Sequence, residues 1–152
     1  MKYKNKKIIF ICEASPQIGL GHLIRCSALS KYFIKKKWIT TLITSIVSED
    51  YSEIIKNSFT NIVFNKTDEI KLLKKMISEY QIVLIDNYNF SFNKQVFLKE
   101  NFKTIFFDDF PHRKIASHYL IDPTLGRKKS DYKNFVSPEC RVFTGQKFVP
   151  LR

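Results

Sequence analysis

Glycine is scarce in this chain, four residues in 152, and two of the four, Gly19 and Gly21, flank a single leucine. Cysteine is scarcer: Cys12, Cys26 and Cys140 are odd in number and lack CxxC spacing, which argues against a disulfide framework or a zinc site and for free buried thiols. His22, His112 and His118 form no recognisable ligand set, so no metal and no cofactor is expected. No apolar run approaches the ~20 residues that cross a bilayer, so no membrane partner is expected. The basic start, Met1 to Lys7, is followed by only five apolar residues before Glu13. A signal-peptide core needs at least about 7, so the expected location is the cytoplasm. Acidic residues are also few, 14 against 26 Lys+Arg, for a net charge of +12. Nucleic acid would be the obvious partner, but the lysines are scattered (Lys35 to Lys37, Lys74-Lys75, Lys128-Lys129) and no basic helix, finger or RNP-type strand collects them. A solvated surface, or a field attracting an anionic small molecule, accounts for the charge as well.

What is present fits one globular domain with a real core, 44% hydrophobic and 14% aromatic, too short for two full α/β domains. No repeat or low-complexity linker divides it. Continuous apolar runs at Lys7–Cys12, Ile39–Thr44, Asn61–Phe64, Ile82–Ile85, Thr104–Phe107, His118–Ile121 and Arg141–Phe143 read as strands. Runs without alternation suit parallel strands buried on both faces. Between them, helical spacing covers about Leu20 to Lys37, with Leu23, Cys26, Leu29 and Phe33 on one face. A short helix from Tyr51 to Lys56 can be capped by Ser48-Glu49-Asp50, and one from Thr67-Asp68-Glu69 to about Glu79 carries Ile70, Leu73, Met76 and Ile77 inward. A further helix covers about Asn93 to Asn101. The expected fold is α/β: a single Rossmann-like domain, residues 1–152, with a mostly parallel sheet.

The first strand, the Gly19-Leu20-Gly21 loop and the helix after it form the segment with most chemical content. Glycine serves there for positive φ or close approach of a ligand to the backbone, or only for close helix–strand packing. The helix N-terminus offers unpaired N–H groups and partial positive charge, an anion site in waiting. His22 stands at that turn with Arg25 over the same face. A dinucleotide fingerprint would need a third glycine at Ile24 and an acid about 20 residues on, and a Walker A loop would need Gly-Lys-Ser/Thr, so neither applies.

Open parallel sheets bind ligands beyond the carboxyl ends of their strands. The glycine loop with His22, then Asp86 with Tyr88, then Asp108-Asp109 all fall at such ends. Each acid alone is as well explained as a turn or helix cap. Three segments converging on one rim make a site.

At these residues the chain resembles the UDP-sugar hydrolases of pseudaminic acid biosynthesis, N-terminal half, within the GT-B-like superfamily. The resemblance rests on Gln17-Ile18-Gly19-Leu20-Gly21-His22 with Arg25-Cys26, Ile85-Asp86-Asn87-Tyr88, Phe107-Asp108-Asp109, Asp122-Pro123-Thr124, Asp131-Tyr132 and Gly145 to Arg152. It implies metal-independent hydrolysis of UDP-2,4-diacetamido-2,4,6-trideoxy-β-L-altropyranose, with inversion and release of UDP. His22 would be the general base, Tyr88 would face the sugar, and Gly19, Gly21, Arg25, Asp86, Asp108 and Asp109 would line the substrate site. An imidazole titrating at about 6.5 can take a proton from water at neutral pH. The resemblance also places a UDP-binding half beyond Arg152, so this chain reads as a truncated product or as one working beside a separate C-terminal chain. Family members usually carry arginine and then aspartate where Ile11 and Glu13 stand. Two alternatives stay open: a catalytically silent domain binding a sugar nucleotide or a partner, and half of a GT-B glycosyltransferase.

Overall fold

The computed structural model describes residues 6–13, 20–45, 49–64 and 69–150. The seven apolar runs are seven strands: β1 (Lys7–Cys12), β2 (Ile39–Thr44), β3 (Asn61–Phe64), β4 (Ile82–Asp86), β5 (Lys103–Phe107), β6 (Tyr119–Asp122) and β7 (Arg141–Thr144). They form one sheet in the order β3-β2-β1-β4-β5-β6-β7, and every pairing is parallel. The sheet is thus all parallel, where a mostly parallel one was expected.

Among the described residues, four α-helices connect the first five strands: α1 (Gly21–Lys35), α2 (Glu49–Lys56), α3 (Glu69–Met76) and α4 (Phe92–Asn101). α1 stops two residues before the expected Lys37. That residue takes φ 62°, and the Trp38 N–H closes on the Phe33 carbonyl. α3 stops at Met76, whose carbonyl accepts the N–H groups of both Glu79 and Tyr80. That turn sends Tyr80 into the core, with its hydroxyl on Thr41 at 2.8 Å. α2 begins at Glu49, earlier than expected. The caps proposed at Ser48, Thr67 and Asp68 lie outside the described residues.

Strand alternation sorts the core into two layers. Ile8, Phe10, Cys12, Leu42, Leu84 and Phe107 meet Leu23 and Cys26 of α1 and Ile55 of α2, with Leu29 and Phe33 packed at the margin. Ile9, Ile11, Ile43, Val83, Ile85 and Phe106 meet Leu73 of α3 and Leu98 of α4 on the other face. Fully burying one such side chain stabilises the fold by roughly 1.5–3 kcal/mol, so both helical layers are held chiefly by this apolar contact.

The crossovers from β1 and from β4 leave the sheet on opposite faces, and β1 and β4 are neighbours. A crevice therefore opens between their carboxyl ends. In register, Cys12 pairs with Asp86 at that point. All three cysteines are free and buried.

Candidate functional site

Parity decides what meets at the crevice. Ile82 and Leu84 face the α1 layer, so Asp86, two residues on, points the same way, toward the first turns of α1. His22 and Arg25 descend from that helix onto it. Arg25 grips the carboxylate with two bonds, Nε to Oδ2 at 2.7 Å and Nη2 to Oδ1 at 2.6 Å. His22 Nδ1 lies 2.5 Å from the same Oδ1. A carboxylate only accepts, so Nδ1 carries the hydrogen and, in the neutral ring, Nε2 carries the lone pair. Arg25 Nη2 is also 3.4 Å from His22 Nδ1, but with the hydrogen on Nδ1 both atoms are donors and no bond forms between them.

Asp86 is 0% exposed, and a charge so placed stands only because it is paired. The Arg25 guanidinium lies 4.6 Å over the Phe107 ring, which β5 turns to the same layer. Burial works to lower the arginine's pKa, and the hydrogen bond and charge of Asp86 outweigh that, leaving it raised. The arginine and aspartate together are neutral, so they hold the imidazole by position rather than by net charge.

Tyr88 lies two residues beyond Asp86, its ring edge-on to His22 with centroids 4.5 Å apart. Its hydroxyl donates to Asp109 Oδ2 at 2.5 Å. Burial, then the bond to Asp109, pushes the phenol's pKa up, so Tyr88 acts as a hydrogen-bonding group and not as a base. Tyr88 remains 39% exposed while His22 is 6% exposed, so the tyrosine fronts the crevice and the imidazole sits behind it. Cys26 Sγ approaches Asp86 Oδ2 at 3.8 Å. Burial, then its contact with Cys12, raises that thiol well above the usual value, which suits a packed side chain and not a nucleophile.

Five expected site residues therefore converge: His22, Arg25, Asp86, Tyr88 and Asp109. Asp86 is enclosed by its partners, so it orients rather than faces the crevice. Asp108 points to the opposite face of the sheet, because its parity is that of Phe106. It accepts the Tyr132 hydroxyl at 3.1 Å, and burial raises its carboxyl's pKa against the lowering pull of Tyr132 and Arg113. Gly21 opens α1, and a Cβ there would meet nothing within 4 Å among the described residues. Neither packing among the described residues nor positive φ requires glycine at that position. Gly19 lies outside the described residues. Among those described, no group of three or more His, Cys, Asp and Glu is placed to hold a metal ion, and no helix is long and apolar enough to cross a membrane.

Two residues absent from the sequence reading reach this rim, Arg113 and Arg127. Arg113 Nη1 donates to the Tyr88 carbonyl, and Arg127 Nη2 donates to the Asp109 carbonyl at 2.9 Å. One signal was available: each arginine follows a strand-end aspartate, Asp108 or Asp122, by the same interval.

No family model matches the chain. Over 96% of its length the chain is 27% identical to the UDP-2,4-diacetamido-2,4,6-trideoxy-beta-L-altropyranose hydrolase of Campylobacter jejuni subsp. jejuni serotype O:2 (strain ATCC 700819 / NCTC 11168). It covers 52% of that protein, so the chain spans about half the length of the curated relative it matches.

Proposed function

We propose that this chain supplies the Rossmann-like half of an enzyme that hydrolyses a UDP-sugar, with His22 as general base. The observation that supports this most is the His22–Asp86 contact at the start of α1, with Tyr88 against the same ring. In the proposed reaction, Nε2 takes a proton from water as the water oxygen attacks the anomeric carbon. The carbon–oxygen bond to the diphosphate breaks on the opposite face, its electron pair leaves with UDP, and configuration inverts. Asp86 holds the ring so that Nε2 is the basic nitrogen, and the helix N-terminus favours the charge growing on the leaving group. Tyr88 contacts the sugar. The reading extends to an acetamido sugar of the kind named for the Campylobacter relative, and to a second α/β half, covalent or separate, that carries most of the uridine contacts.

His22→Asn tests the role, because an asparagine amide can still donate to Asp86. UDP release from the UDP-sugar is measured with the chain alone and with the remaining half of the Campylobacter relative added. Release falls by at least about 100-fold in the variant, within the span of general-base effects, while the melting temperature is unchanged. Turnover near that of the parent chain would refute the assignment.

A second reading rests on Ile11. It is packed in the α3/α4 core with Ile43 and Ile85, where the resemblance expects an arginine. A domain lacking that charge can bind the sugar nucleotide without turning it over. Titration calorimetry beside the release assay separates the two: heat of binding with no UDP formed favours the silent domain.

A further inference from the structure

The two arginines that reach the rim belong to one circuit of side chains. At its centre is Tyr132, fully buried on the 3-10 turn Lys129–Tyr132. Its hydroxyl lies 2.9 Å from Asp122 Oδ2 and 3.1 Å from Asp108 Oδ2. Asp108, the residue after β5, and Asp122, the last of β6, stand in equivalent positions, both on the α4 face. Each carries an arginine. Arg127 Nε donates to Asp122 Oδ2 at 2.6 Å, and its Nη2 continues to the Asp109 carbonyl. Arg113 Nη2 stands 3.7 Å from Asp108 Oδ1, and its Nη1 continues to the Tyr88 carbonyl. The Tyr88–Asp109 bond then closes the ring on the crevice side.

Local sequence builds this ring. Gly126, at φ 77°, completes a turn in which the Arg127 N–H returns to the Thr124 carbonyl, bringing the arginine back over its own strand end. Asp122 Oδ1 accepts the Thr124 N–H at 2.8 Å, fixing the start of that turn. Arg113 lies across the Phe106 ring at 5.7 Å, which limits where its fork can point. An arginine bridges a carboxylate and a separate carbonyl through donors spread over three nitrogens in one rigid plane, whereas lysine's three donors radiate from a single nitrogen and do not reproduce that span.

We infer that Tyr132, Arg127 and Arg113 are positioning residues, which hold the Tyr88 and Asp109 segments in place from the far side of the sheet. The ring links two loops that share no helix and no strand pairing of their own. Its function in the site rests on the reading that Tyr88 contacts the sugar. Its existence as a clamp does not.

The test uses the full chain with 13C-labelled tyrosine, the Tyr88 ring signal being assigned by its loss in Tyr88→Phe. Arg127→Lys and Arg127→Gln are expected to behave alike. In both, the Tyr88 signal shifts, and amide hydrogen exchange in segments 87–90 and 109–111 quickens by about tenfold, while exchange in β1 and β4 stays as before. Tyr132→Phe produces the same pattern, and if it lowers stability too far to read, the partly exposed Arg127 carries the test. A Tyr88 signal and loop exchange unchanged in both Arg127 variants, or restored by lysine but not by glutamine, overturns the inference. Titration with the UDP-sugar is scored separately. Weaker binding by about tenfold supports the link to the site. Unchanged binding with a shifted Tyr88 signal leaves the clamp standing and rejects Tyr88 as a sugar contact.

Discussion

Gly21 is a residue whose identity the packing of the described residues does not explain. A Cβ there would touch nothing described, and its φ is not positive. In isolation, alanine would suit the first turn of α1 better, because glycine gives up more backbone entropy on folding. Among the described residues, the space beside it opens at the N-terminus that also carries His22. Gly21→Ala is therefore expected to hold or raise stability, by up to about 1 kcal/mol, while weakening affinity for the UDP-sugar proposed as substrate. Thermal denaturation and calorimetric titration of the one variant check both halves. Affinity equal to that of the parent chain would mean that no ligand uses this space.

At the scale of elements, β5 and β6 are tied by a second histidine outside the site. His118 Nδ1 accepts the Thr104 N–H at 3.2 Å and lies 3.0 Å from the Thr104 hydroxyl, so the folded state wants this ring neutral. Burial lowers its pKa from 6.5, and the Lys103 and Lys99 charges lower it further against an opposing pull from Glu139. The unfolded chain then binds the proton more readily than the folded one. The contribution to stability is complete above about pH 6.5 and is lost as pH falls through the lowered folded value. Stability measured by urea denaturation should decline from pH 7 toward pH 5, and His118→Asn, which keeps an acceptor for Thr104, should flatten that decline. An unaltered slope would assign it to other groups. The elements themselves were largely legible, because runs such as Ile82–Ile85 have little choice but a buried strand. Which face each strand-end acid takes was not. Strands apolar on both sides carry no alternation to mark inside from outside, so Asp108 and Asp109 read as a pair although the sheet separates them. That Asp86, His22 and Arg25 meet was legible because a glycine loop and a strand end announce themselves locally. Arg113 and Arg127 reach the rim through loop carbonyls, and the one mark they leave in sequence is the shared interval from Asp108 and Asp122, which by itself does not say which loop each arginine meets.

The whole molecule carries a net charge of +12 on 152 residues. A domain of this length has a radius of gyration of about 15 Å. At ~10 mM salt the Debye length is about 30 Å, so each lysine is repelled by charge across the entire fold, and the expanded unfolded chain feels less of this. At ~150 mM the length falls to about 8 Å, and most of that repulsion is screened. Close ion pairs pull the other way, but those found at the surface, such as Lys7–Glu79 at 2.6 Å and Lys99–Glu139 at 2.6 Å, involve well-exposed carboxylates and contribute little each. Arg25–Asp86 is buried and hardly responds to added salt. Repulsion therefore outweighs attraction among the screenable terms. The melting temperature should rise as sodium chloride goes from ~10 to ~150 mM at pH 7. A fall over the same range would mean that the lysines are arranged in stabilising pairs, and that the excess positive charge costs the fold nothing.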